Sequence, residues 1–165
     1  MNKKAFGEQI DIHGGGRDLI FPHHENEIAQ TEALTGKQFV KYWTHNGLIK
    51  VNGQKMSKSL GNSLYLKDLL DKYSPETVKF ALLSTNYRAD INVTDNLFPD
   101  AEKHLVDFYS IILSAKNKGI EIEGENTEID SEFNATMDND FNTALAISNL
   151  FVYFKKIKSK INAGD

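Results

Sequence analysis

The sequence contains no cysteine, which excludes disulfide bonds, thiol nucleophiles and the commonest protein ligand of zinc. A metal ion bound by this chain alone must therefore be held by histidine, aspartate and glutamate side chains. The sequence also lacks an apolar run near the roughly 20 residues that span a bilayer, and no apolar segment follows its first lysines. These absences predict a cytoplasmic protein with neither a membrane segment nor a secretion signal.

Strong positive charge is also absent, because the 165 residues carry a formal net charge of −4. Composition alone therefore gives no sign of nucleic-acid binding, which a strongly basic domain would give. With 40% hydrophobic and 25% charged residues, the chain has the composition of a soluble globular protein of one domain or slightly more.

The first third of the chain alternates between strand and helix patterns. Two short segments with β-branched and aromatic residues predict strands, at residues 9–13 and 38–45. Between them, Pro22 suits the first turn of a helix and Gly36 suits its end. A hairpin follows, because the Asn-Gly pair at 52–53 stands between β-branched and apolar residues.

The rest of the chain is predicted to be helical. Ser74 suits a helix N-cap, followed by proline at the first helical position. A helix at 100–119 presents one core-facing stripe, and an acidic segment after it is interpreted as a linker. A last helix at 142–161 ends in four lysines, which are interpreted as a solvated helix end, with phosphate contact as the alternative. The core-facing stripe of the helix at 100–119 consists of Ala101, Leu105, Phe108, Ile112 and Ala115.

The segment "FPHHENE" holds two histidines and two glutamates. His23 and Glu27 are four residues apart, so on a helix they share one face and could hold one ion. The alternative is a solvated helix face, because two ligands do not make a zinc site and carboxylates are favoured near a helix N-terminus. His24 shares the next face with Ile28, which predicts a packing role.

Two further segments suit a nucleotide. In "DIHGGGRD", the glycines at 14–16 would let a ligand touch the backbone, and Asp18 could accept hydrogen bonds from a ribose. The alternative is a tight turn that needs positive φ. In "KMSKSLGN", Lys55 and Lys58 suit a phosphate chain whose charge shifts during reaction. A solvated basic loop after the hairpin is the alternative there.

These segments together carry a resemblance. "FGEQIDIHGGGRDLIFPHHENEIAQ" and "YWTHNGLIKVNGQKMSKSLGNS", in this order and spacing, closely resemble the cysteinyl-tRNA synthetases. "KMSKS" is a signature of class I aminoacyl-tRNA synthetases, and "DIHGGG" with "FPHHENEIAQ" narrows the resemblance to the cysteine enzymes. The likeness continues to "FNATMDNDFNTALAISNLF" and so covers nearly the whole chain. The cysteine–sugar ligases of mycothiol synthesis share parts of this layout, but the plain helical continuation fits the tRNA enzymes better.

The resemblance implies an α/β fold that starts with the second half of a Rossmann-type catalytic domain. A helical stem-contact region and the start of an α-helical anticodon-side bundle would follow. The implied reaction is the ATP-dependent, Mg²⁺-assisted activation of L-cysteine to cysteinyl-adenylate, then transfer to tRNA(Cys). The implied parts are the catalytic half-domain at 1–64, the stem-contact region at 65–118, the acidic linker at 119–132 and the bundle start at 133–165.

Site residues are implied in the same way. The family's zinc ion is held by two cysteines, a histidine and a glutamate, and the last two match His23 and Glu27. His13 and Trp43 would lie beside the bound amino acid, with His45 in the same layer but without an assigned role. Lys55 and Lys58 would stabilise the ATP phosphates during catalysis. The implied ATP-binding residues are Gly14, Gly15, Gly16, Asp18, Lys55, Met56, Ser57, Lys58 and Ser59.

The sequence departs from the family in two respects, since it has neither the "HIGH"-type signature nor the two zinc cysteines. We therefore expect the middle part of a longer enzyme, which alone binds zinc weakly or not at all and does not aminoacylate. An uncovered sheet edge predicts self-association. The alternative function is a non-catalytic tRNA-binding module, whose affinity for tRNA would fall steeply with salt. A metal hydrolase is disfavoured because a third ligand is missing from the sequence pattern.

Overall fold

The computed structural model describes residues 2–120 and 127–163, and for Asn2, Lys58 and Ala163 it describes the backbone only. Within these ranges the strands are β1 (Ile10–Gly16), β2 (Val40–Asn46), β3 (Ile49–Val51), β4 (Gln54–Lys55) and β5 (Ile91–Val93). The α-helices are α1 (Asn2–Phe6), α2 (Glu25–Thr35), α3 (Leu66–Leu70), α4 (Pro75–Leu83), α5 (Leu97–Asn117), α6 (Thr127–Asp138) and α7 (Thr143–Ala163). Short helical turns cover Arg17–Leu19, Ile20–His24 and Lys58–Leu60.

β1 and β2 form a parallel pair connected through α2. Both strands were predicted, but the tight turn considered for the three glycines is wrong. Gly14, Gly15 and Gly16 continue β1 and pair with residues 44–46 of β2, and none of them has a positive φ. A Cβ atom on Gly14 would lie 2.4 Å from the backbone oxygen of Thr44, so glycine permits this close strand contact.

The second sheet has the strand order β4-β3-β5. β3 and β4 form the predicted hairpin, and the residues of its turn, Asn52 and Gly53, have φ values of 49° and 82°. Both positive values are those that a two-residue hairpin turn requires. β5 was not predicted, and it pairs with β3 in parallel, with Ile49 opposite Ile91.

The helix ends follow the local chemistry of the sequence. The Ser74 side chain caps α4 by accepting a hydrogen bond from the Thr77 N–H, and α2 ends at Gly36 in the left-handed conformation. The linker prediction is wrong for residues 127–132, which form the first half of α6. Two acidic residues in the first turn of α6 favour a helix there. The remaining linker residues at 121–126 lie outside the described part of the chain.

A core forms where α4 and α5 pack around β5, and a smaller one joins α5 to α7. The larger core contains Val78, Ala81, Val93, Phe98 and Ala101, and the smaller contains Ile111, Ala115 and Ile161. The predicted stripe of α5 therefore faces the interior, since two of its members are buried in these cores.

The two-stranded sheet leaves apolar surface uncovered. Ile12 and Tyr42 are 66% and 68% exposed, and within the described residues β1 pairs with β2 alone. Self-association through this edge stays a prediction. None of the helices in the described ranges is long and apolar enough to cross a membrane.

Candidate functional site

The candidate site lies where β1 and β2 meet the start of α2. The parallel register pairs His13 with Trp43, which places their side chains next to each other on one face. The ring centroids of both lie 5.0 Å from that of His24. His45, two residues beyond Trp43, stacks on it with ring centroids 5.7 Å apart. The sequence therefore assembles three histidines and a tryptophan from three separate segments.

His24 is buried in this cluster, with 4% of its surface exposed. Its Nδ1 lies 2.8 Å from Nε2 of His45, in a hydrogen bond that one ring N–H donates and the other ring nitrogen accepts. Burial, followed by the charges of His13 and His45, holds the pKa of His24 below its usual value. A neutral imidazole is the form that binds metal ions. His24 could therefore bind a metal ion in addition to the packing role that the sequence predicted.

Three groups converge in a way that suits a metal ion. Single ligand atoms of His13, His24 and Glu27 all lie within 4.8 Å of one another. Oε2 of Glu27 is buried without a hydrogen-bond partner in the described residues. His13 Nε2 approaches it to 3.1 Å but not in a hydrogen-bonding geometry. Imidazole nitrogens and carboxylate oxygens are zinc ligands, so the orphaned oxygen and its neighbours fit zinc.

The resemblance implies His23 and Glu27 as zinc ligands, and only Glu27 lies in the converging group. Glu27 belongs to the converging group, whereas His23 is exposed and its ring centroid lies 5.8 Å from that of His24. His13 and His24 stand beside Glu27 instead. β1 thus supplies a third candidate ligand, His13, beside His24 and Glu27. His23 as a zinc ligand stays a prediction.

The lysine-containing loop lies next to the end of β1. Lys55 Nζ donates to the Asp18 carboxylate at 3.3 Å, and both side chains are about half exposed, at 60% and 47%. Asp18 and Lys55 are thus each other's partner, although they are implied to bind different parts of ATP. The side chain of Lys58 lies outside what the structure describes.

One side chain holds the backbone of this loop, and it was not among the site residues predicted from the sequence. The Asn62 carboxamide accepts a hydrogen bond from the N–H of Ser57 and donates one to the carbonyl of Lys55. Within the loop, the hydroxyls of Ser57 and Ser59 are 3.1 Å apart, and Met56 Sδ accepts from the N–H of Leu64. These hydrogen bonds define the shape of the loop backbone.

The opposite face of β2 lines a different cavity, of about 500 Å³. Its walls come from Thr44 and Asn46, the β3–β5 sheet, the end of α4 and the α6–α7 turn. This lining contains no charged residue, so it offers nothing for a triphosphate or a metal ion. On chemical grounds the candidate site is the histidine cluster and the adjacent loop.

Two parts of the chain match family models. Residues 1–103 match the model of the tRNA synthetases class I (C) catalytic domain, and residues 132–165 match the DALR domain. The chain is 48% identical to the cysteine–tRNA ligase of Syntrophotalea carbinolica over 92% of its own length and 33% of that protein. It is 43% identical to the cysteine–tRNA ligase of Carboxydothermus hydrogenoformans over its whole length and 37% of that protein. The chain thus spans about a third of the length of these relatives.

Solved structures of similar fold are more distant in sequence. LeuRS of Agrobacterium radiobacter, in a ternary complex with tRNA and LeuAMS, has a TM-score of 0.69 and 21% identity, covering 91% of this chain and 23% of that one. Methionyl-tRNA synthetase of Mycobacterium tuberculosis, bound by methionyl-adenylate, has a TM-score of 0.64 and 20% identity, covering 90% and 34%. At these identities the likeness shows the fold alone, and it confirms the predicted α/β fold.

Proposed function

We propose, from the premise that this chain belongs to the class I tRNA synthetases and to their cysteine–tRNA ligase family, that it forms the amino-acid-activating part of such a ligase. The reaction joins L-cysteine to the AMP part of ATP with release of pyrophosphate, and then transfers the cysteinyl group to tRNA(Cys) with release of AMP. The observation that carries the proposal is the adjacency of two features at the end of β1. One is the cluster around His13 and Glu27, and the other is the pair of Asp18 and Lys55.

ATP would lie along the glycine end of β1. The strand there has no side chains over three residues. The Asp18 carboxylate lies 2.5 Å from the position of an added Cβ atom on Gly16, so a nucleotide that reaches this backbone would meet Asp18 first. Asp18 is the hydrogen-bond acceptor for the ribose, and Lys55 and Lys58 are the cations for the phosphates. In the proposed step the cysteine carboxylate attacks the α-phosphorus and pyrophosphate leaves. Lysines aimed at the charge that develops there stabilise the transition state more than bound ATP.

The amino acid would lie against the histidine cluster. His13 and Trp43 form the wall of this pocket, and Glu27 with neighbouring imidazoles would hold zinc. Zinc in that position would bind the substrate thiolate, a bond that the hydroxyl of serine makes far less well. Such a site rejects serine because the missing contact leaves it unsatisfied. The residues implied as zinc ligands are His23 and Glu27, and His13 and His24 are the candidates that the geometry adds.

The remaining parts of the chain are proposed to contact tRNA. Residues 65–118 would contact the acceptor stem, and 133–165 would begin the anticodon-side helices. The linker between them would be shortened to residues before Thr127, where α6 begins. We propose the cytoplasm as the location, because ATP, cysteine and tRNA are the substrates.

A hybrid enzyme tests this function. The third of the Syntrophotalea carbinolica ligase that matches this chain is replaced by residues 1–165, and cysteine-dependent ATP–pyrophosphate exchange and tRNA(Cys) charging are measured. We expect both activities. The matched control is the same hybrid with Lys55→Ala and Lys58→Ala, which should lose exchange while unfolding as cooperatively as the parent.

A hybrid that folds but shows no exchange would contradict the proposal. If that inactive hybrid still bound tRNA, with an affinity that fell steeply as salt rose, the non-catalytic tRNA-binding module would be the better description.

A further inference from the structure

Asp90, the residue before β5, connects three segments of the chain. Its Oδ1 accepts a hydrogen bond from the backbone N–H of Leu48 at 3.0 Å. Nη2 of Arg17 and Nζ of Lys50 each lie 2.9 Å from the same carboxylate. Only 15% of the Asp90 side chain is exposed, so this carboxylate is largely enclosed by its three donors.

The two cations come from segments beside different sheets. Arg17 directly follows the glycine end of β1, and Lys50 lies in β3, the strand that leads into the hairpin. Asp90 therefore ties the end of the first sheet to the base of the hairpin in the second. The enclosing donors also hold the pKa of Asp90 below its usual range, the Leu48 N–H most and Lys50 next, so the bridge is charged at neutral pH.

A second ion pair crosses the same gap. Asp18 follows Arg17 in sequence and contacts Lys55, which pairs with Lys50 across the hairpin. This pair is about half exposed, and exposed ion pairs hold a geometry weakly. Asp90 receives charge-assisted hydrogen bonds in a more enclosed place, and such bonds are the stronger kind. The bridge at Asp90 is thus the firmer of the two contacts between the end of β1 and the hairpin.

We propose that Asp90 is a positioning residue, which bridges Arg17 and Lys50 and thereby keeps Lys55 of the hairpin beside the glycine end of β1. Asp90 touches no substrate in this account. The consequence for ATP rests on the proposed function, because there Lys55 acts on the phosphates. The structural part, the placement of the hairpin, stands independently of any activity.

Zero-length cross-linking with a carbodiimide tests the placement in the chain as it exists. The reagent joins Asp18 to Lys55, and it also joins Asp11 to Lys41, which are 2.7 Å apart on the first sheet and serve as an internal reference. In Asp90→Asn, the ratio of the first cross-link to the second should fall at least about threefold, because residues that share a backbone shift are energetically coupled. Asparagine still accepts from the Leu48 N–H, so that hydrogen bond is retained.

Two further variants sharpen the result. Arg17→Gln removes the same bridge from the other side and should lower the ratio similarly. Asp95→Asn is the matched control, because Asp95 is exposed and makes no ion pair with the described residues. Its ratio should equal that of the parent. An unchanged ratio in Asp90→Asn would overturn the proposal, and so would a parallel fall of both cross-links, since that indicates general unfolding.

The hybrid enzyme then tests the consequence for ATP. With Asp90→Asn, the kcat of pyrophosphate exchange should fall about tenfold, because Lys55 acts on the transition state, while the KM for cysteine stays within about twofold. A role in folding alone would lower kcat only in proportion to the fraction of unfolded hybrid, measured by urea unfolding under the assay conditions, and that result would overturn the link to ATP. If the parent hybrid shows no exchange while the cross-link still responds to Asp90→Asn, the proposed function fails and the positioning role stands.

Discussion

Gly47 lies at the crossing of two backbone segments, and this makes Gly47→Ala a sharp test of the fold. A Cβ atom there would lie 2.0 Å from the carbonyl oxygen of Ala89 and 2.8 Å from the nitrogen of Asp90. Both atoms belong to the backbone, so no side-chain rotation relieves the overlap. The segments are also bonded to each other, since the N–H of Gly47 donates to the carbonyl of Tyr87 at 2.7 Å.

The expected loss of stability follows from these contacts. Forcing extra atoms into a packed site costs about 1 to 3 kcal/mol, and losing one hydrogen bond costs about 1 kcal/mol more. Alanine returns about 0.4 to 1 kcal/mol by restricting the unfolded chain. Gly47→Ala should therefore lower the free energy of unfolding by about 1 to 3.5 kcal/mol. For a chain of this size that corresponds to a fall in Tm of about 2 to 14 °C.

Urea unfolding followed by tryptophan fluorescence measures this loss, because Trp43 is the single tryptophan and lies on the neighbouring β2. Gly16→Ala is the matched control. Gly16 has φ −65° and ψ 147°, and its added Cβ would meet the movable Asp18 carboxylate first, at 2.5 Å. That variant should be unchanged or more stable by up to about 1 kcal/mol. The reasoning is refuted if Gly47→Ala unfolds at the parent's urea concentration, or if both variants lose the same stability.

Three other predictions concern separate parts of the chain. Arg88 lowers the pKa of Asp140 from 3.8 to about 2, so the ion pair stabilises the fold fully above about pH 5 and loses its effect as the pH falls from about 4 to 2. The difference in unfolding free energy between the parent and Asp140→Asn should therefore shrink over that range, and a constant difference would contradict it. Ser74→Ala removes the N-cap bond to Thr77 and should cost about 1 kcal/mol in urea unfolding; an unchanged midpoint would show that the cap is not needed. In the hybrid enzyme, Lys58→Ala should slow adenylate formation much more than it raises the KM for cysteine, and equal losses in both would indicate ground-state binding only.

The elements that were predicted from sequence have their causes within a few neighbouring residues. The cap at Ser74, the left-handed end at Gly36 and the hairpin turn at 52–53 each depend on one or two side chains. Such local causes are visible in the sequence because no distant partner is needed.

Elements whose cause is distant were not predicted correctly. β5 has three residues, too few to show a pattern, and it exists because β3 lies beside it. The glycines at 14–16 form a strand because β2 approaches them closely. The position of His24 within 4.8 Å of His13 and Glu27 depends on the register of β1 and β2 and on the entry angle of α2. The sequence pattern predicted Glu27 as a ligand candidate, but only the packed structure brings two imidazoles to it.

The segment at 87–91 connects most of the parts discussed above. Its backbone accepts the N–H of Gly47 and donates from Ile91 to the carbonyl of Leu48, which fixes the junction between the two sheets. Its side chains hold the helices, since Tyr87 and Arg88 both bond to Asp140 in the turn between α6 and α7. A movement of this segment would therefore shift the hairpin, the end of β1 and the α6–α7 pair together. The residues that lead into the hairpin and the turn between α6 and α7 are therefore both bonded to this one segment.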